Sequence, residues 1–503
     1  MVQSMNDGWL FYKEGDKQKQ SVMLPHDAML HEKRDPKAES GSAGAFFPGG
    51  VFCYERKIML TEDQVQMHLT LEFEGAYKNA EVFVNGQEVY QAAYGYSPFF
   101  VILDGHIKAG ENTILVKTDN SQKPDSRWYS GAGIYRPVWL HIQPKDHIAI
   151  EGIRVKTVSI DPTVMEVSVE RTAGKVQVEI IDAEGKQAAT ALLEKDSVQI
   201  PLPKAHLWSE ETPYLYGIRA SLLGADSSIL DQAKDTFGVR LITWSPKGFF
   251  VNGKETLLRG GCIHHDNGVL GACTYDESEM RRIRILKENG YNAIRCAHNP
   301  CSKALLRACD ALGVYIMDET WDMWYSHKSK YDYATEFMSH YKEDLEAMVR
   351  RDYNHPSVVM YSIGNEVSEP ASQKGVALSQ EMADYLRNLD ETRAVTAGIN
   401  LLIVKSSAEG KGVYKEDGGR NDSNEAKTAG MSSTMFNMIT SMVGSGMNRA
   451  ANGKKADDVT SPVYATLDIC GYNYASGRYA KEGQIHPNRI VVGSETFPQD
   501  IAK

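Results

Sequence analysis

The stretch Asp352–Glu366, DYNHPSVVMYSIGNE, carries the strongest indication of the fold. Its first part, Asp352–Pro356, predicts a turn, because proline cannot continue the hydrogen-bond pattern of the preceding helix. The apolar run Val358–Ile363 then predicts a buried strand, which ends in Gly364-Asn365-Glu366. A carboxylate and an amide at this point are typical of the carboxyl end of a barrel strand, where side chains act on substrate.

Apolar strand-like runs alternate with helices after residue 245, which predicts a parallel sheet with right-handed crossovers. Ser302 and Gly313 fit the start and end of one helix, and Asp276 with Glu279 predicts a capping box at another. The predicted strands are Thr256–Ile263, Asn292–Cys296, Val314–Asp318, Val358–Ile363, Ala394–Ile399, Leu467–Tyr472 and Ile490–Gly493. We therefore predict a (β/α)8 TIM-type barrel over residues 245–503, truncated before its eighth strand.

The chain before residue 245 has the pattern of antiparallel β-structure. Residues 1–145 contain short alternating runs between turn signals, and Asn85-Gly86 is a strong hairpin signal. This spacing predicts an N-terminal jelly-roll β-sandwich. Residues 146–244 contain a smaller set of strands, which predicts an immunoglobulin-like β-sandwich.

A second strand that ends in a glutamate occurs at Ile490–Glu495, IVVGSE. In a barrel, the mouths of this strand and of Val358–Ile363 converge over the central axis. Glu366 and Glu495 would then face each other across one sugar. Retaining glycosidases need two carboxyl groups about 5–5.5 Å apart, one as nucleophile and one as acid/base.

Charge and cysteine content narrow the class of protein. The net charge of −11 argues against nucleic-acid and anionic-membrane partners, since both need a basic surface. The seven cysteines have irregular spacing without a CxxC pair, which predicts buried free thiols in a reducing cytosol. The first residues lack the apolar run of a signal peptide, and no apolar stretch of about 18 residues occurs. We therefore expect a cytoplasmic protein.

The segment over residues 404–460 interrupts the barrel pattern. Its first part is rich in Gly, Lys, Asp, Asn and Ser, which predicts a mobile loop. Its second part places Met435, Met438, Ile439 and Met442 at helical spacing. Two interpretations remain open for this second part: a surface helix packed on the barrel, or a methionine-lined rim beside the substrate entrance.

The stretch Asp352–Glu366 closely resembles the acid/base signature of glycoside hydrolase family 2, which contains β-galactosidases, β-glucuronidases and β-mannosidases. Asn292–Met317, continued by Asp318-Glu319, resembles the other signature of this family. The N-terminal half contains further matching segments: Leu24–Asp27, Phe73–Gly75, Val82–Gly86, Gly131–Pro137 and Leu207-Trp208. The resemblance covers essentially the whole chain, in the domain order of the family, and implies that the N-terminal jelly roll is a sugar-binding domain.

The resemblance implies roles for individual residues. Glu366 would be the acid/base and Glu495 the nucleophile, while Asn365 would bind the sugar 2-hydroxyl, a contact that strengthens as the oxocarbenium ion forms. Tyr474 resembles the tyrosine that donates a hydrogen bond to the nucleophile, with Tyr472 and Tyr479 as alternatives.

His298 and His264 match two sugar-contacting histidines of the family, and the alternative for both is a structural role at a strand end. Better-known members carry a sugar-contacting aspartate where, by spacing, this chain has Arg127. Arg127 would either meet a uronate carboxylate or pair with a nearby acid such as Asp125.

Two further motifs of the family have no counterpart in this sequence. The chain reaches Lys503 without the eighth barrel strand, its tryptophan or the Asn-x-Lys motif of glucuronidases. The Glu-x-His metal motif of some members is also absent, because Thr320–Trp324 occupies that stretch. We therefore expect no required metal, and no GxGxxG, P-loop or HExxH motif indicates a cofactor.

These features predict a retaining exo-β-D-glycosidase that acts on a small-molecule β-glycoside. Arg127 and the general character of the barrel segment favour β-glucuronidase slightly over β-galactosidase. The alternative from another class is a non-catalytic carbohydrate-binding fragment, because a barrel without its last unit exposes two strand edges. By analogy with the family, a homo-oligomer remains open.

Overall fold

The first ten strands form two facing sheets, and several of these strands alternate between buried and more exposed positions. The computed structural model describes residues 1–412, 414–416 and 453–497. The sheet orders are β3-β2-β4-β9-β6-β7 and β1-β10-β5-β8, around one apolar core. The strands are β1 (Val2–Ser4), β2 (Trp9–Lys13), β3 (Gln20–Val22), β4 (Val51–Leu60), β5 (His68–Phe73), β6 (Ala80–Val84), β7 (Gln87–Ala92), β8 (Phe99–Ile102), β9 (Gly110–Asp119) and β10 (Val138–Gln143). The predicted hairpin is present, because Val84 pairs with Gln87 across Asn85-Gly86, which both have positive φ.

The next seven strands form a second, smaller sandwich with a separate apolar core. Its sheets have the orders β11-β12-β15 and β14-β13-β16-β17, and all neighbouring strands are antiparallel. The strands are β11 (Ile148–Ile160), β12 (Thr163–Arg171), β13 (Lys175–Ile181), β14 (Gln187–Leu193), β15 (Ser197–Pro201), β16 (Tyr216–Leu223) and β17 (Ile229–Phe237). This architecture agrees with the immunoglobulin-like prediction.

A short antiparallel sheet leads from the second sandwich into the barrel. It consists of β18 (Ile242–Ser245), β19 (Gly248–Val251) and β20 (Lys254–Glu255), which the sequence did not indicate. The expected boundary at 244/245 falls inside β18. Together with residues of β22 to β25, this sheet buries an apolar cluster at the amino-terminal end of the barrel.

Seven parallel strands form the barrel sheet within the described residues, in chain order from β21 to β27. The strands are β21 (Gly260–Ile263), β22 (Ala293–Cys296), β23 (Tyr315–Glu319), β24 (Val358–Asn365), β25 (Ala394–Asn400), β26 (Cys470–Asn473) and β27 (Val491–Glu495). Every residue of β22 to β26 is buried, whereas β21 and β27 are partly exposed. The sheet is nearly closed, since the Cys262 thiol on β21 donates to the Ser494 carbonyl on β27 at 3.4 Å. The predicted fold class is thereby confirmed.

Helices connect these strands and follow the caps encoded in the sequence. They are α1 (Asp276–Glu288), α2 (Lys303–Leu312), α3 (Ala334–Asp352), α4 (Gln373–Leu389), α5 (Leu401–Ala408), α6 (Lys454–Tyr464) and α7 (Tyr479–Ile485). Ser302 caps α2 by accepting from Leu305 N, and Gly313 ends it with φ 71°. The capping box predicted from Asp276 and Glu279 was wrong, because α1 begins one residue earlier in register and Ser278 occupies the N3 position after Tyr275.

The helical segment predicted around Met435, Met438, Ile439 and Met442 lies outside the described residues. Within the described part, no helix combines the length and apolar character needed to cross a bilayer.

The loop between β9 and β10 of the first sandwich covers the carboxyl ends of the first barrel strands. The His265 ring after β21 lies 3.0 Å from the Ser130 carbonyl, and Arg136 donates to the Pro300 carbonyl after β22 at 2.9 Å. Arg127 contacts Asp322 after β23. The first sandwich therefore forms one wall over the barrel mouth.

Gly238, between the second sandwich and β18, lies where there is no room for a side chain. A Cβ at this position would meet Pro356 Cγ at 2.7 Å and Trp208 Cβ at 2.8 Å. We expect Gly238→Ala to destabilise the fold by about 1–3 kcal/mol through overpacking. Calorimetric scans should show a lower midpoint for the transition that includes the barrel.

The matched control is Gly483→Ala in α7, where no heavy atom lies within 4 Å of the added Cβ and φ is negative. Alanine favours helix over glycine by up to about 1 kcal/mol, so the control should be neutral or stabilising. Equal midpoints for the two variants would contradict the packing described here.

Candidate active site

Arg295 joins three barrel strands at the carboxyl end of the sheet. It lies on β22, and its Nε donates to Glu319 Oε2 on β23 at 2.9 Å. Its Nη1 donates to Glu495 Oε1 on β27 at 2.8 Å, and its Nη2 donates to Asn365 Oδ1 on β24 at 3.0 Å. The guanidinium is almost completely buried, so each of these charge-assisted contacts is protected from water.

Glu495 is surrounded by groups that favour its ionised form. The Tyr474 hydroxyl donates to its carboxylate, and the His298 Nε2 lies 3.7 Å from Oε1. Burial acts to raise the pKa of Glu495, but Arg295, His298 and the Tyr474 hydrogen bond outweigh it, and the pKa is lowered. Glu495 is therefore held as a carboxylate near neutral pH.

Glu366 has the opposite environment. It follows β24 in the left-handed backbone region, with φ 45°, and its amide donates to Gly398 O on β25 at 2.7 Å. Its Oε1 accepts from Asn400 Nδ2 at 2.7 Å. Burial, followed by the charge of Glu495, raises the pKa of Glu366, and this outweighs the opposing effects of Lys328, Arg127 and the Asn400 hydrogen bond. The Glu366 carboxyl therefore retains its proton to a higher pH than Glu495 does.

The Asn365 side chain is held by protein groups on both sides. Its Oδ1 accepts from Arg295 and from Asn473 Nδ2, the latter at 3.0 Å, and its Nδ2 donates to Asp322 Oδ1 at 2.9 Å. Asn473 lies on β26 and accepts in turn from Ser494 Oγ at 2.6 Å. The amide is thus fixed in one orientation beside both glutamates.

His298 and His264 lie together with Trp128 at the wall that the first sandwich provides. The His264 ring centroid lies 5.2 Å from that of Trp128 and 5.6 Å from that of His298. His298 Nδ1 contacts Glu319 Oε1 at 2.6 Å, so its Nε2 faces the glutamate pair. Burial lowers the pKa of His264 to about 4, which makes it neutral at physiological pH.

The structure assigns Arg127 a different partner from the one expected. The sequence suggested Asp125 or a substrate carboxylate, but Arg127 donates to both oxygens of Asp322, at 2.8 and 2.6 Å. Asp125 instead accepts from Lys123 at 2.8 Å. This pairing has a physical cause. A planar guanidinium can donate two parallel hydrogen bonds to one carboxylate. The fold brings Asp322 to Arg127, although the two residues are 195 positions apart in the sequence.

Tyr474 is the tyrosine whose hydroxyl donates to Glu495, as the resemblance implied. The alternative Tyr472 donates instead to Glu482 Oε1 at 2.6 Å. The Tyr479 hydroxyl lies beside Gly493 of β27. Tyr474 shares with Glu366 a left-handed backbone directly after its strand, here with φ 56°.

Several residues of this site were not predicted from sequence. They are Arg295, Glu319, Asp322, Lys328, Asn400 and Asn473. Glu319, Asn400 and Asn473 share with Glu366 the signal of a polar residue at the carboxyl end of an apolar strand. Asp322 and Lys328 lie in the loop between β23 and α3, where no periodicity marks them.

Two clusters of potential metal ligands occur among the described residues. One is Cys296, Cys301 and Asp318, and the other is Asp457, Glu482 and His486. Asp318 is paired with Arg351, and Asp457 accepts from Arg478 at 2.7 Å. Existing ion pairs therefore occupy the carboxylates of both clusters, and neither cluster includes Glu366 or Glu495.

Two glutamates at a barrel mouth, with pKa values displaced in opposite directions, fit the paired carboxyl groups that glycoside hydrolases use. Three family models match the chain: the family 2 sugar-binding domain over residues 45–144, the central domain over 139–240 and the TIM barrel domain over 242–437. The chain belongs to glycoside hydrolase family 2.

Related proteins carry names from two activities of this family. A Bacteroides ovatus protein named Beta-galactosidase BoGH2A is 36% identical over 408 residues, which is 76% of this chain and 48% of the relative. A Formosa agariphila protein named Putative beta-glucuronidase is 32% identical over 75% of this chain and 37% of the relative. The chain therefore spans about half the length, or less, of these relatives.

A solved structure has the same architecture. The glycosyl hydrolase family 2 member from Bacteroides cellulosilyticus is 32% identical and superposes with a TM-score of 0.81. The match covers 97% of this chain and 61% of that protein.

The half-buried His265 should make the fold acid-sensitive. Burial lowers its pKa to about 3, whereas an unfolded histidine has a pKa of about 6.5. The unfolded state therefore binds more protons below pH 6.5, and stability present above that pH is lost as the pH falls toward 3. We expect His265→Gln to reduce the loss of stability between pH 7 and 4.5 by about 2 kcal/mol.

Calorimetry over this pH range would measure the effect, with His340→Gln on the partly exposed face of α3 as the control. The same pH dependence for His265→Gln and the wild type would show that His265 is not held neutral.

Proposed function

We propose that this chain carries the active site of a retaining exo-β-D-glycosidase, with Glu495 as nucleophile and Glu366 as acid/base. The observation that carries the proposal is the opposite displacement of the two pKa values. Arg295 helps to lower the pKa of Glu495, whereas burial and the charge of Glu495 raise the pKa of Glu366. A nucleophile must be anionic and a general acid must be protonated in the same resting enzyme.

The first step follows from these two protonation states. The Glu495 carboxylate attacks the anomeric carbon as Glu366 donates its proton to the glycosidic oxygen, and the bond between carbon and that oxygen breaks. The alcohol leaves and the sugar becomes an ester of Glu495. Asn365 would donate to the sugar 2-hydroxyl, and His298, His264 and Trp128 would line the same sugar.

The second step uses Glu366 in its other protonation state. Ester formation removes the negative charge of Glu495, which raises the pKa of Glu366 in the resting site. Glu366 then becomes a better base. It accepts a proton from water while the water oxygen bonds to the anomeric carbon and the ester bond to Glu495 breaks.

Two terminal sugars, galactose and glucuronic acid, are supported by the names of the relatives. The initial preference for a glucuronide used Arg127, but the Arg127 guanidinium is bound bidentately by Asp322. Two of its donors are therefore taken by a protein carboxylate, and Arg127 by itself no longer favours a glucuronide over a galactoside. Nitrophenyl β-galactoside and β-glucuronide, assayed side by side, distinguish the two specificities.

We further propose a three-domain division at about residues 145 and 244 and a cytoplasmic location. The two sandwich cores and the barrel core support the first. The seven free cysteines support a reducing compartment. A non-catalytic sugar-binding role is the competing hypothesis, and sugar binding without turnover of any β-glycoside would favour it.

Replacement of either glutamate should affect catalysis in a distinct way. Glu495→Gln removes the nucleophile, so turnover should be lost for all leaving groups. Glu366→Gln removes proton transfer, which is worth about 10²–10⁴-fold, with the larger loss for poor leaving groups. Steady-state rates on nitrophenyl and alkyl β-glycosides would measure both effects.

The control is Glu343→Gln on the exposed side of α3, which should retain the wild-type rate. A Glu495→Gln variant that keeps a near-normal rate would refute the assignment of the nucleophile.

A further inference from the structure

Lys328 is buried in the loop between β23 and α3, beside the proposed acid/base. Its side chain is about 1% exposed, and a buried ammonium is costly unless polar partners satisfy it. Its Nζ donates to Asp322 Oδ1 at 2.9 Å and to the main-chain oxygen of Asn365 at 2.6 Å. Because Asn365 immediately precedes Glu366, Lys328 holds the peptide that carries the acid/base.

The single negative charge of Asp322 does not cancel the positive charges around it. It binds both Arg127 and Lys328, so two cations share one anion and one net positive charge remains. Burial acts to raise the pKa of Asp322, but the two cations outweigh it and hold the pKa well below its usual range. Burial lowers the pKa of Lys328, and the charge of Asp322 acts against that lowering.

Other groups around Glu366 come from several parts of the fold. They are Glu495 on β27, Tyr474 after β26, Asn400 on β25, Tyr414, and the pair of Arg127 and Lys328 on Asp322. Lys328 and Arg127 are the charged groups of this set that favour the carboxylate form of Glu366. Glu495 is the charged group that opposes it in the resting site.

We propose that Lys328 is a positioning residue for the hydrolysis, which fixes the Asn365-Glu366 peptide and supplies a positive charge that stabilises the carboxylate of Glu366. This inference rests on the proposed glycosidase function. Its effect is largest in the second step, when Glu495 is an uncharged ester and no longer opposes ionisation of Glu366. Glu366 must then be a carboxylate in order to accept the proton of water.

The pH dependence of kcat/KM separates this role from a structural one. The acid limb of the profile reports ionisation of Glu495, and the alkaline limb reports loss of the Glu366 proton. Removal of a nearby cation raises the pKa of a carboxyl group. Lys328→Gln should therefore shift the alkaline limb to higher pH by about one unit. Asp322→Asn removes the anion that pairs with Lys328 and Arg127, and should shift the alkaline limb to lower pH.

Two further variants complete the design. Lys328→Arg keeps the charge and should keep the wild-type alkaline limb, with a change in rate alone. Lys330→Gln, two residues away at the surface, should match the wild type in rate and profile. The midpoint of thermal unfolding for every variant shows whether the fold is intact.

Opposite shifts of the alkaline limb in Lys328→Gln and Asp322→Asn would support the proposal. A uniform loss of rate with an unmoved limb in both variants would overturn it, because a purely structural role lowers the rate at every pH. If Lys328→Gln fails to fold, the direction of the Asp322→Asn shift decides. A wild-type chain without turnover would overturn the proposed function itself, before any variant is compared.

Discussion

The buried guanidinium of Arg295 is the constraint on which the site depends. A carboxylate inside a barrel is costly unless it is paired, and Arg295 pairs two of them, Glu319 and Glu495. Glu319 is completely buried, and it orients Arg295 and His298 while Ser362 Oγ donates to it at 2.6 Å. Since Arg295 binds Glu495 and not Glu366, the pKa values of the two glutamates at one barrel mouth are displaced in opposite directions. The difference between the two glutamates is therefore a consequence of which strand carries the arginine.

The first sandwich contributes to this site as directly as the barrel does. Its loop between β9 and β10 brings Arg127 onto Asp322 and Trp128 against His264. Asp322 in turn binds Asn365, the residue that precedes the proposed acid/base. A cavity of about 150 Å³ lies between the sandwich loops and the barrel, lined in part by Trp128, His298 and Asp322. The first sandwich thus has a chemical role at the barrel mouth, because the barrel alone would leave Asp322 without Arg127, its bidentate partner.

Much of the architecture could be predicted from sequence, and the exceptions have physical causes. The barrel strands β22 to β26 were predicted because they are buried on both faces and are therefore largely apolar runs. Strands such as β14 and β17 give a weak sequence signal because most of their residues are exposed, so apolar and polar residues do not alternate regularly along them. At the site, Glu366 and Glu495 were predicted because each ends an apolar strand. Asp322 and Lys328 were not, because their partners lie far away in sequence and loop positions carry no periodicity.

The central claim is that Glu495 forms a covalent bond with the sugar while Glu366 transfers the proton. A dinitrophenyl 2-deoxy-2-fluoroglycoside of the preferred sugar tests it directly, because the fluorine slows both steps while the good leaving group speeds formation of the ester, so that the ester accumulates. Mass spectrometry of the digested protein should then find one fluorosugar on the peptide that contains Glu495. A label on Glu366 or Glu319, with none on Glu495, would contradict the account.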